Sequence, residues 1–415
     1  MSYKLLGEFI RKVDNKNKDL KILNLQGLSM SKEFRKSTSN IVGTDLSNYK
    51  IVKQGQFCCD FMSVIRVHKF PVVLNSLGED VIISPAYVVF EIKDEKLLLP
   101  EYLMLWFRRS EFDRYADFRC DSSIRGGFQW EELCEVELPV PSIEEQQKIV
   151  DQYQWVANKI KVNEQICEKL EATAQALYKH WFVDFEFPNE EGKPYKSSGG
   201  KMIFNEELQK KIPNGWEVKS LGEICSKIGS GSTPSGGKES YCKDGISLIR
   251  SMNVHDLEFV FDDLAFINDG QARKLANVSV EKYDLLINIT GVSVARCTIV
   301  PTEVIPARVN QHVMLIRPFS EQFANYYLLM NLTSVESKNI LLGVSQSGST
   351  REAITKSDIE KFKILMPIQS SLKSFQKNIE KSFEMINNAR TQNQKLTHLQ
   401  SLLLSRLARM EAVEN

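Results

Sequence analysis

The chain repeats itself, and a repeat restricts the fold to one built twice. Residues 125–141, R-G-G-F-Q-W-E-E-L-C-E-V-E-L-P-V-P, align without a gap on residues 351–367, R-E-A-I-T-K-S-D-I-E-K-F-K-I-L-M-P, at an offset of 226 residues. Glu132 falls on Asp358, Leu133 on Ile359, Leu138 on Ile364 and Val140 on Met366. Apolar alternation before each closing proline predicts a short strand. The same offset carries I-S-P-A-Y-V-V-F at 83–90 onto V-N-Q-H-V-M-L-I at 309–316, a polar start running into an apolar, β-branched strand. Two more echoes keep the order. L-G-E-F-I at 6–10 resembles L-G-E-I-C at 221–225, and Met62-Ser63-Val64-Ile65-Arg66 resembles Val292-Ser293-Val294-Ala295-Arg296, each after an apolar strand.

Each copy runs into a helical seam. Ile149, Tyr153, Val156, Ile160, Cys167, Leu170, Ala174, Leu177 and Trp181 step by four and three, interrupted at Asn163, which is coiled-coil spacing. Shifted by 226 the positions become Phe375, Ile379, Ser382, Ile386, Ala389, Asn393, Leu396, Gln400, Leu403 and Leu407, a weaker seam of the same period. Such helices of ~35–40 residues extend ~55 Å, beyond the diameter of a small domain. Between the halves, F-V-D-F-E-F-P at 182–188, a Gly/Lys/Ser-rich stretch to residue 200 and K-I-P-N-G-W at 211–216 read as a connector. The layout is domain 1–141, helix 142–181, linker 182–213, domain 214–367, helix 368–415.

Composition narrows the class. At 415 residues the chain is too long for one core, and no apolar run reaches the ~20 residues a membrane helix needs. The first residues lack a signal peptide's apolar core, so a cytoplasmic protein is expected. The eight cysteines include the adjacent Cys58-Cys59 but no C-x-x-C, which gives no zinc spacing. Lys plus Arg equals Asp plus Glu at 53 each, so any basic DNA-binding surface must be local.

H-W-F-V-D-F-E-F-P at 180–188, G-K-P-Y-K-S-S-G-G at 192–200, I-P-N-G-W-E-V at 212–218, L-P-V-P-x-x-x-E-Q-Q at 138–147 and G-S-G-S-T-P-S at 229–235 together resemble the specificity subunits of Type I restriction–modification enzymes. The resemblance covers the whole chain. It implies an α/β (α+β) protein of two similar target-recognition domains, each followed by a long helix, the helices forming an antiparallel coiled coil with pseudo-two-fold symmetry. It further implies no catalysis by this chain and no cofactor of its own. Partners would be double-stranded DNA, two modification subunits that methylate adenine with bound S-adenosylmethionine, and restriction subunits in the complete enzyme. The second copy departs from the pattern, with Ser370-Ser371-Leu372-Lys373 in place of E-E-Q-Q. A fully overlapped antiparallel seam sets Ile149 against Leu407, Tyr153 against Leu403, Ile160 against Leu396, Leu170 against Ile386, and brings Asn163 to Asn393.

The sequence lacks N-P-P-F or D-P-P-Y strings for methyl transfer, and residues 231–238 have the wrong glycine spacing for a nucleotide loop. Asp80 with Glu91-Ile92-Lys93 loosely fits a metal-nuclease D…E-x-K pattern, but the repeat places Arg317 on Glu91. A helical adaptor that does not read DNA is the other rival. Base and phosphate contacts need Arg, Lys, Asn, Gln, Ser and Thr on loops. In the first domain the candidates are Lys12, Asn15, Lys16, Ser63, Arg66, Ser84, Tyr87, Arg119 and Arg125. In the second they are Ser230, Ser232, Thr233, Arg250, Asn253, Thr290, Ser293, Arg296, Asn310, Gln311, Gln346, Thr350 and Arg351. Two related domains with different loops predict a bipartite, asymmetric target with half-sites roughly one DNA turn apart.

Overall fold

The structure, a computed structural model, describes residues 3–37, 43–120, 128–234, 236–319, 324–346 and 353–407. The chain divides into two compact units, residues 1–162 with 392–415, and residues 163–391.

Unit 1 is built on four antiparallel strands. They are β2 (Ile10–Val13), β3 (Phe57–Cys59), β4 (Val72–Leu74) and β5 (Val88–Ile92), in the order β2-β5-β3-β4. A separate antiparallel pair joins β1 (Tyr3–Leu5) to β6 (Glu137–Pro139). Helices α1 (Pro100–Phe107) and α2 (Ser110–Phe118) complete the core. Pro100 starts α1 where no backbone N–H is required. Phe57 stacks on Phe90 at 4.8 Å, and Phe70 meets Phe107, Phe112 and Phe128 at 5.3–5.9 Å. Each buried ring contributes about 1.5–3 kcal/mol of apolar transfer, so this cluster dominates the unit's stability.

Unit 2 repeats the plan. Its strands β8 (Cys225–Ser230), β9 (Leu285–Asn288), β10 (Cys297–Ile299) and β11 (Val313–Pro318) are ordered β8-β11-β9-β10, the same circuit as β2-β5-β3-β4. β7 (Glu217–Ser220) pairs with β12 (Lys363–Met366) as β1 pairs with β6. Helices α5 (Asn325–Leu332) and α6 (Val335–Gln346) take the places of α1 and α2. In a second sheet of unit 2, strands Ile246–Ile249 and Ala307–Val309 run parallel, and Val81–Ile83, the match of the latter in unit 1, pairs with Lys50–Val52.

The gap-free repeat has a local cause. Short helices α3 (Trp130–Cys134) and α7 (Lys356–Lys361) both begin in a capping box, a reciprocal hydrogen-bond pair at the helix start. Gln129 N donates to Glu132 Oε2 at 2.8 Å, and Thr355 N to Asp358 Oδ2 at 2.8 Å. The acidic residue shared by the two copies is therefore a cap.

The long helices are α4 (Ile143–Tyr178), which passes into a π-helical turn at Lys179–Val183, and α8 (Gln369–Leu407). Within each unit they run antiparallel. In unit 1 Ile149 shares a hollow with Leu403 and Leu407, while Asn393 Nδ2 donates to the Ile160 carbonyl at 3.2 Å. In unit 2 Trp181 and Phe182 pack on Phe375 at 5.8 and 4.8 Å. Further along, the Cys167 thiol meets the Ile386 carbonyl at 3.8 Å and Arg390 pairs with Glu171 at 2.6 Å. Ile149 lies with Leu407 as predicted, while Cys167 and Asn393 bond to main-chain carbonyls of the facing helix, contacts that the predicted apolar pairing does not contain. A helix carbonyl keeps a second lone pair, so Ile160 can accept the Asn393 amide without losing its own helical bond.

The motif E-Q-Q has a structural use at Gln146. Its side chain is fully buried, donating to the Leu97 and Pro141 carbonyls and accepting from Leu99 N, each at 2.9 Å. This ties the start of α4 to its domain. Leu372, the matching residue of the second copy, is buried instead among apolar neighbours. The central string is also packing. Phe182, Phe185 and Phe187 surround Trp216 at 5.1–5.9 Å, and Phe187 stacks on Tyr195 at 4.6 Å. Any Cβ at Gly200 would lie 2.4 Å from the Tyr195 ring.

Candidate nucleic-acid interface

Antiparallel order β8-β11-β9-β10 brings four chain segments to one end of the unit 2 sheet: the end of β8, the start of β11, the end of β9 and the start of β10. Ser232 and Thr233 follow β8, Gln311 and His312 precede β11, Thr290 follows β9, and Ser293 and Arg296 precede β10. Residues distant in the sequence are therefore neighbours. Gly231 permits the approach, because a Cβ there would sit 1.8 Å from the Val309 carbonyl oxygen, and its N–H donates to the Asn310 carbonyl at 3.1 Å.

The side chains form one chain of hydrogen bonds. Thr233 Oγ1 donates to Gln311 Oε1, Gln311 Nε2 lies 3.0 Å from His312 Nε2, and His312 Nδ1 lies 2.6 Å from Thr290 Oγ1. An amide nitrogen only donates, so His312 Nε2 is the acceptor and Nδ1 carries the proton. Thr290 then accepts from His312, and its own hydroxyl proton is left to donate elsewhere. Arg296, a half-buried residue just before β10, makes no ion pair among the described residues. Ala353 bridges to Thr290 and its N–H donates to the Ser345 carbonyl at 3.4 Å, which sets the end of α6, with exposed Gln346, at the same place.

Unit 1 gathers its candidates at the equivalent end. Asn15 and Lys16 follow β2, Ser84 and Tyr87 precede β5, and Ser63 and Arg66 follow β3. Lys50 Nζ donates to the Tyr87 carbonyl at 2.8 Å, and Arg66 Nη2 donates to Ser63 Oγ at 3.3 Å. Burial, with Asp60 nearby, pushes the Tyr87 phenol above its usual range and keeps it a neutral donor.

Several predicted contacts are committed elsewhere. Asn253 is wholly buried, donating to the Val260 and Asp262 carbonyls at 2.9 and 3.1 Å and accepting from Arg250 N at 3.0 Å, so it staples its own loop. Asn310 is buried and accepts from His312 N at 3.0 Å. Arg250 donates to the Asp263 carbonyl and lies over Tyr241 at 5.6 Å. Arg119 pairs with Glu135 at 2.5 Å and Glu132 at 3.6 Å, and Lys12 lies over the Trp130 ring at 5.0 Å on the sheet face. Ser230 lies within β8, opposite Met314. Arg125, Thr350 and Arg351 lie outside the described residues. Sequence reasoning missed His312, whose only signal was its place in the repeated N-Q-H string.

The nuclease pattern is used for stability. Glu91 accepts from Arg11 at 2.8 Å and from Gln56 at 2.7 Å, while Lys93 donates to the Gly7 and Glu8 carbonyls. Among the described residues no group of three His, Cys, Asp or Glu is placed to hold a metal ion.

Two copies of one strand-and-helix domain, each running into a long helix and each collecting polar loops at the same sheet end, define a duplicated two-domain protein. Residues 213–401 match the family model of the Type I restriction modification DNA specificity domain. The specificity subunit of the Type I restriction enzyme MjaIX from Methanocaldococcus jannaschii is 31% identical over 319 residues, spanning 75% of this chain and 68% of that protein. The HindI specificity subunit from Haemophilus influenzae is 25% identical over 384 residues, spanning 79% and 81%. In fold, the chain is similar to the S subunit of a Type I restriction–modification system from M. genitalium, with a TM-score of 0.61 at 12% identity over 98% of this chain and 95% of that one. The chain belongs to the specificity subunits of Type I restriction enzymes, and is a non-catalytic subunit.

Proposed function

We propose that each unit reads one half of a bipartite DNA target, and that the chain thereby directs adenine methylation and restriction by partner subunits. The observation that carries this reading is the matched sheet end, where each copy gathers polar donors and acceptors with an arginine that has no acidic partner among the described residues, Arg66 in one and Arg296 in the other. Hydroxyls, amides and guanidinium groups match base edges in the major groove, and the arginines also suit phosphates. Modification subunits, supplying S-adenosylmethionine, would dock on the long helices. Supporting that, α4 carries exposed Trp155 and Val162 and α8 carries exposed Leu399 and Leu402 within unit 1.

A gel-shift titration against random duplexes, with the chain alone and with a modification subunit, tests the reading. Selection of one interrupted sequence is expected. His312→Ala, which breaks the link to Thr290, should weaken binding to that sequence by about 1–3 kcal/mol without lowering the melting temperature. Binding with no sequence preference in either setting would favour the adaptor.

A further inference from the structure

The loops after β3 and after β9 share a feature that polar recognition does not use. Each presents an apolar side chain to solvent beside its serine. Val292 is fully exposed, and Met62, its match in the repeat, is 72% exposed. Each is followed by a buried valine, Val64 or Val294, that roots the loop in its unit. An isolated exposed apolar residue is ordinary. The same one at the same sheet end of two diverged copies, each held up by dedicated polar groups, is not.

The support is explicit. In unit 1 Asp60 Oδ1 accepts from the backbone N–H groups of Met62 and Ser63 at 3.1 and 3.2 Å, and Asp60 Oδ2 accepts from the Ser63 hydroxyl. In unit 2 the buried Asn288 amide donates to the Ser251 and Val254 carbonyls and to Ser293 Oγ at 2.9, 3.1 and 3.2 Å. Gly291 and Ala295 bracket Val292 and Ser293 at φ of 74° and 65°. Left-handed backbone at an alanine is strained, and such strain persists where the surroundings enforce it. The two copies thus reach the same presentation through different supports.

Resting on the DNA-reading function above, we propose that Met62 and Val292 are matched apolar readers, each pressed against the C5-methyl group of a thymine in its own half-site. The nearby arginine gives the tip its orientation toward an anionic duplex. Thymine is the only unmodified base that offers a methyl group in the major groove, and aliphatic side chains are the groups that favour it. Val292 is also too short to wedge between stacked base pairs, which leaves the groove edge as its contact.

The test uses the full chain with its modification subunits, bound to its own target duplex. Each thymine is replaced in turn by deoxyuridine, which removes only the methyl group. In the wild type, one replacement per half-site is expected to weaken binding about three- to five-fold, the value of one buried methyl group. In Val292→Ala the sensitivity of one half-site vanishes while the other half-site keeps its own, and Met62→Ala gives the reverse. Melting curves check that both variants fold. A half-site without thymine, indifference of the wild type to every replacement, or sensitivity that survives both substitutions overturns the proposal while leaving sequence-specific binding intact. Absence of any sequence preference in the wild type overturns the reading beneath it as well.

Discussion

Glu91 and Arg317 occupy the same strand position in the two copies with opposite charge, and each has found partners of the other sign. Arg317 donates to Asp284 at 2.7 and 2.8 Å and also to Glu281, and Asp284 has no exposed surface. Arg317→Ala would leave that carboxylate buried without its cation. The expected loss is about 3–5 kcal/mol in urea unfolding, partly recovered by adding Asp284→Asn, and a loss below ~1 kcal/mol would contradict this role. Glu91 titrates instead. Hydrogen bonds from Gln56 and from Arg11 hold it below its ordinary 4.5. Its contribution is therefore present above pH 4.5 and is lost as the pH falls through its lower folded-state value. Glu91→Gln should flatten that acid limb in thermal melts at successive pH values, and an unchanged limb would count against it. At this scale the sequence marked the polar loops but not which of their side chains face outward. Asn253 and Thr290 read alike as polar loop residues, yet one closes its own loop and the other ends the His312 chain. Only the pairing of three distant strands decides between them.

The repeated helical elements were the most legible because their signals are local. Caps such as Gln129–Glu132 and Thr355–Asp358 need three consecutive steps of chain, and so survive as a gap-free match. The long helices were legible from their period, whereas their polar contacts were not. Polar side chains such as Asn393 can bond to a neighbour's main chain, which a pattern of apolar positions does not encode. Gln146 shows the same limit, since a residue of the family-like E-Q-Q string closes three main-chain bonds inside its domain. Gln146→Leu copies the residue that the second repeat uses at Leu372. It should nevertheless destabilise unit 1, because each stranded backbone group costs about 1–3 kcal/mol. Hydrogen exchange at the start of α4 would rise well before global unfolding. Protection equal to wild type would show that the clamp is dispensable.

For the whole molecule, duplication supplies two related domains, which under the proposed function would read a divided sequence. The units share the sheet order and the capped helix but differ in the loops at the matched sheet end, so a target read by both is expected to be asymmetric. The duplication was visible from residue spacing alone, while the strand pairing that Val81–Ile83 and its match Ala307–Val309 make was not, because their partners Lys50–Val52 and Ile246–Ile249 do not share the repeat's offset. The central claim is tested most directly by mapping methylated adenines across the genome of cells with and without this gene, alongside cells carrying Arg296→Ala. An interrupted, asymmetric motif is expected that disappears with the gene, and whose preference relaxes in one half only when Arg296 is replaced. A continuous or palindromic motif, or methylation that persists unchanged without the gene, would contradict it.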